Sequence, residues 1–139
     1  MKKITFGLCL ITCLLATSCI KEKTILKEAN TITGLWTGVI KNAASSYQPY
    51  NLSIKPDNTL TFEGLMENNI RHYGHGTWFL NDSVFMANVI TDLGSYNNVG
   101  VQQELFGIFN KKIGTLTKCK YRNTNPANDS GIFLVEKVK

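Results

Sequence analysis

No apolar run in this chain is long enough to cross a bilayer: the longest, from Ile4 to Ala16, falls short of the roughly 20 residues a spanning helix needs. Cysteine is scarce. Of four in 139 residues, Cys9, Cys13 and Cys19 lie near the start and only Cys119 falls in the remainder, so no disulfide framework can staple the fold. Charge is neither dense nor one-sided. Beyond Lys111-Lys112 and the run Lys118-Cys119-Lys120-Tyr121-Arg122 there is no basic patch, which argues against nucleic acid as a partner and for a solvated basic edge. Gly-rich phosphate loops, a Ser-His-Asp arrangement in recognisable context and paired carboxylates are all missing. Catalysis is therefore the least supported class, and no cofactor is expected.

What is present begins at the N-terminus. Met1-Lys2-Lys3, an apolar stretch from Ile4, and the small residues Ala16-Thr17-Ser18 ahead of Cys19 have the layout of a secretory signal. The Cys directly after Ala-Thr-Ser resembles the lipobox of bacterial lipoproteins. That resemblance implies cleavage before Cys19, acylation of its thiol and new amino group, and a membrane partner reached through the lipid. An ordinary secretory cut near Ser18 is the alternative. Ile20 stands where an Asp would retain a lipoprotein in the inner membrane, so the expected location is the outer membrane of a bacterial envelope. Loss of residues 1–18 removes Lys2 and Lys3 and lowers the net charge from +5 to +3. Residues 19–30 are charged and show no strand alternation. They read as a tether with a root-mean-square reach of roughly 20 Å.

Residues 31–139 are long enough for one hydrophobic core and read as a single domain. Segments rich in β-branched and aromatic residues recur at Gly34–Ile40, Tyr50–Lys55, Leu60–Leu65, Tyr73–Leu80, Val84–Ile90, Val99–Phe109, Ile113–Tyr121 and Gly131–Val138. Between them lie turn sequences such as Pro56-Asp57-Asn58-Thr59 and Asn81-Asp82-Ser83, short enough to force antiparallel hairpins. Tyr50, Leu52 and Ile54 share one face and Asn51, Ser53 and Lys55 the other, while Leu60 and Phe62 oppose Thr61 and Glu63. One wet face, about eight short strands and many glycines in or beside them predict an all-β, antiparallel up-and-down barrel, with a sandwich as the alternative.

Thr33-Gly34-Leu35-Trp36-Thr37-Gly38 resembles the Gly-x-Trp opening of lipocalin-like and other calycin barrels. Gly76-Thr77-Trp78-Phe79-Leu80-Asn81-Asp82, Gly107-Ile108-Phe109-Asn110 and Gly131-Ile132-Phe133-Leu134 fit the same picture. Together they are similar to small lipocalin-like lipoproteins of Bacteroidetes-type envelopes. Ile32-Thr33-Gly34-Leu35-Trp36 is also similar to the Thr-Gly-x-Trp start of avidins, but the biotin-binding set of that family has no counterpart here. The lipocalin resemblance implies that Trp36 closes one end of the barrel, with Lys137 of the last strand as its basic partner. It also implies a small apolar or amphipathic ligand held inside.

The ligand-binding residues expected on that reading are Tyr50, Leu52, Ile54, Phe62 and Trp78 for burial, with Arg71, Tyr73 and His75 at the mouth to orient a polar head group. His72 and His75 suggest a metal pair, yet residues three apart on a strand face opposite sides, so no metal site is expected. Cys119 lies between Lys118 and Lys120 and reads as an inward apolar residue. A barrel with a filled core, acting through its outer surface as a subunit or inhibitor with an unnamed protein partner, is the competing function.

Overall fold

The computed structural model describes residues 31–65, 69–127 and 129–139, and the signal, Cys19 and the tether lie outside them. Eight strands follow in chain order: β1 Gly34–Asn42, β2 Gln48–Ile54, β3 Thr59–Leu65, β4 Arg71–Asn81, β5 Val84–Leu93, β6 Gln102–Asn110, β7 Thr115–Asn125 and β8 Ser130–Lys137. Each pairs antiparallel with the next. β1 also pairs with β8, so the sheet closes into an up-and-down barrel with no free edge. The all-β antiparallel barrel expected from the sequence is what forms.

Local chemistry explains the turns. Asn58 and Asp82 take positive φ of 66° and 54° in the β2–β3 and β4–β5 hairpins, a conformation their short polar side chains tolerate. Asp57 accepts from the Thr59 backbone N–H at 3.0 Å and fixes the first of these turns. Two strands, β6 and β7, start later than expected. Val99 and Gly100 belong to a turn, held by Val99 N to Ser95 O and Gly100 N to Thr91 O, and Ile113 belongs to the turn closed by Gly114. Both glycines have positive φ, which ends the extended run.

The period of two sorts the side chains. Trp36, Leu52, Ile54, Leu60, Phe85, Leu105, Phe109 and Phe133 are each at most 2 % exposed and fill the middle and one end of the barrel. At roughly 1.5–3 kcal/mol for each large apolar side chain buried, this cluster is the main source of stability. A register shift between Phe106 and Ile108, with Lys118 at φ 53°, bulges β7 so that Leu116 and Cys119 both turn inward despite their odd spacing.

Trp36 seals the filled end. Its ring is fully buried, meets Phe109 edge-on at 6.3 Å, and its indole N–H donates to the Ile32 carbonyl at 2.8 Å. Lys137 stands across the ladder from Trp36, and its ammonium donates to the Thr31 carbonyl at 2.9 Å. The segment leading into β1 is thereby laid over the closed end.

Candidate functional site

The opposite end is open. A cavity of about 290 Å³ lies inside the barrel there, floored by Tyr50 and Phe62 and walled by Ile40 and Asn42 of β1, His72 of β4, Thr91 of β5, Gln103 of β6 and Tyr121 and Asn123 of β7. Val101, Ser95 and Asn98 from the β5–β6 connection and Asp129 from the β7–β8 connection complete it.

One wall is organised around Asp129. Its Oδ2 accepts from the Tyr121 hydroxyl at 3.0 Å and from Asn42 Nδ2 at 3.2 Å, while Oδ1 accepts from the Ser130 backbone N–H at 2.9 Å. The backbone bond from Asn123 N to Asp129 O, 2.7 Å, holds the connection in place. Burial, and then the neighbouring carboxylate, push the Tyr121 phenol well above its ordinary range, so it stays a neutral donor.

His72 stands in another wall. It is 1 % exposed, and its Nε2 accepts from the Ser95 backbone N–H at 3.3 Å, with Ser95 Oγ at 3.4 Å. Asn98 Nδ2 donates to that hydroxyl at 2.8 Å and steadies the loop. An Nε2 that accepts belongs to a neutral ring, and burial lowers the imidazole pKa in the same direction. Gly94 leaves the ring room: a Cβ there would stand 2.7 Å from His72 Cδ2.

Tyr50 lies under both walls. Its ring packs on Phe62 and Phe133 at 5.9 and 5.8 Å. Among the described residues its hydroxyl is the one buried side-chain polar atom without a hydrogen-bond partner in the protein. Desolvation raises its pKa steeply, with Tyr121 as a second cause, which keeps it protonated.

Of the residues expected to line a ligand chamber, Tyr50 and Phe62 do so. Leu52 and Ile54 share their face but lie deeper, in the packed core, and do not line the cavity. Trp78 packs on Phe85 at 6.4 Å near the closed end, and its indole N–H donates to the Lys55 carbonyl at 2.9 Å. Arg71, Tyr73 and His75 do not face the interior, because on β4 the inward set is His72, Gly74, Gly76 and Trp78. Arg71 pairs with Glu63 on the outer face, Tyr73 donates weakly to the same carboxylate at 3.4 Å, and His75 Nδ1 meets Asp92 at 2.7 Å. His72 and His75 thus stand on opposite sides of the wall. Among the described residues no group of three His, Cys, Asp or Glu side chains converges.

His72 could have been found from its parity with Trp78, and Tyr121 from its parity with Cys119. Asp129 comes from a connection and carries no local signal. Cys119 is 3 % exposed and its thiol is pushed up to about 12 by burial, so the flanking lysines do not activate it.

Comparison of the chain with known protein families, with curated proteins and with solved structures gives no match. The fold and the cup therefore define the class: a closed eight-stranded antiparallel barrel, compatible with the lipocalin-like architecture, filled at one end and hollow at the other.

Proposed function

We propose that this is a lipocalin-like lipoprotein of the bacterial envelope that binds a small amphipathic molecule in the open end of its barrel, without catalysing a reaction on it. The observation that carries this reading is the cavity of about 290 Å³, where Ile40, Phe62 and Val101 offer an apolar surface and Asn42, His72, Gln103, Tyr121 and Asp129 offer hydrogen-bonding groups. Such a mixture suits one compact ligand with a polar end. A long acyl chain fits poorly, because the space below Tyr50 is packed with side chains.

Lipid attachment at Cys19 supplies the location in this proposal, with the outer membrane as the expected site. Thr31 and Ile32 lie at the closed end, so the chain enters the barrel opposite the mouth. Replacement of Cys19 by Ser should release the protein from the membrane fraction in its host.

Native mass spectrometry of residues 30–139 from the host periplasm, followed by extraction of any bound species, tests the binding function. A stoichiometric small molecule that is lost in Val101→Trp, where an indole fills the cup, is the expected result. A clean apo mass after exposure to envelope extracts would move the assignment to the second reading, a barrel acting through its surface on a protein partner. That reading draws on Leu93, Tyr96 and Val99, which expose apolar surface on and beside the β5–β6 connection.

A further inference from the structure

The geometry points to a small organic amine as the ligand of the cup, its ammonium at Asp129 and its apolar body against Ile40, Phe62 and Val101; this deepens the binding reading above and rests on it. Among the described residues that line the cavity, Asp129 is the one acidic side chain. The groups that hold it, the Tyr121 hydroxyl, Asn42 amide and Ser130 backbone N–H, are all neutral, so they orient the carboxylate without cancelling its charge. A carboxylate has about four lone-pair sites. Three are taken, and the less occupied oxygen, Oδ1, has only a backbone partner. Among the described residues that line the cavity Lys41 is the one Lys or Arg, and its ammonium is held 4.7 Å over the Tyr47 ring.

The remaining polar surface suits an ammonium better than an anion. An ammonium brings three donors and needs acceptors. Tyr50, which floors the cavity, has a buried hydroxyl with no protein partner, and the neutral His72 adds no competing positive charge. Size sets the rest. At about 30 Å³ per water in the liquid, the cavity holds on the order of ten water-sized groups, the scale of a single ring with a short side chain.

The test is a calorimetric titration of the protein with three matched probes: 2-phenylethylamine, 2-phenylethanol and phenylacetate. The amine should bind at least about tenfold more tightly than the alcohol, as expected for a charge-assisted hydrogen bond, with the acid weakest. Asp129→Asn should erase the amine preference. Because Asp129 also holds Tyr121 and Asn42, Tyr50→Phe is the second variant; it should weaken amine binding several-fold while leaving the circular dichroism and melting cooperativity intact. Equal binding of amine and alcohol, or a preference that survives in Asp129→Asn, overturns the amine assignment and leaves the cup as a binding site. Amine binding that persists in Val101→Trp places the ligand elsewhere and overturns both readings, and no binding of the amine at millimolar concentration overturns the assignment outright.

Discussion

The imidazole of His72 lies so close over Gly94 that a Cβ at residue 94 would stand 2.7 Å from Cδ2 and 2.9 Å from Cγ. A strand residue and a residue just beyond the end of the next strand thus share one space, and the fit sets the position of a cavity wall. Gly94→Ala should push the ring into the cup and destabilise the barrel by about 1–3 kcal/mol, the usual cost of overpacking. Urea denaturation measures it. Adding His72→Ala should recover part of the loss, and strict additivity of the two changes would contradict the contact.

His72 also ties stability to pH. Burial lowers its pKa from the ordinary 6.5, so the folded state binds its proton less readily than the unfolded chain. Its contribution is fully present above the unfolded value and is lost as pH falls below 6.5 through the folded value, at a slope of at most about 1.4 kcal/mol per pH unit. Between pH 7.5 and pH 5 the wild type should therefore lose more stability than His72→Gln, as read from denaturant midpoints at each pH.

Tyr50 holds a hydroxyl that is buried without a protein partner. An unsatisfied buried group costs roughly 1–3 kcal/mol. Tyr50→Phe should raise the thermal midpoint by several degrees in the absence of ligand; a fall would mean that the hydroxyl is already satisfied in the folded protein.

Trp36 is bound to the Ile32 carbonyl and buried against Phe109. Trp36→Phe should cost about 1 kcal/mol for the lost hydrogen bond plus a contribution from the space left behind. Trp36→Ala should cost about 3–5 kcal/mol. Comparing hydrogen exchange at residues 31–35 in the two variants checks whether the entry segment loosens with the ring.

Cys119 is buried, and its thiol is pushed up to about 12. Iodoacetamide should leave it unmodified in the native protein and label it only as fast as the barrel opens. Labelling at the rate of a free thiol would contradict the inward orientation set by the β7 bulge.

Much of the fold was legible because its determinants are local. Tyr50, Leu52 and Ile54 face inward together, as do Leu60 and Phe62, since strand alternation needs only sequence parity. The short turns at Asp57-Asn58 and Asp82-Ser83 fix which strands pair. Parity likewise separates His72 from His75, one turned inward and the other paired with Asp92 outside.

Depth along the barrel axis was not legible. Leu52 and Tyr50 have the same parity, yet one is packed in the core and the other borders a cavity, because the height of each residue depends on the stagger of all the strands at once. The grouping of Asp129, Tyr121 and Asn42 is similarly nonlocal, joining residues 87 apart in sequence through the closure of β1 onto β8. Sequence alone determined which residues alternate and where the chain turns, through backbone geometry a few residues long. Only the tertiary structure decided which part of the interior is filled and which polar groups meet in the part that is not, because those follow from closing the sheet on itself.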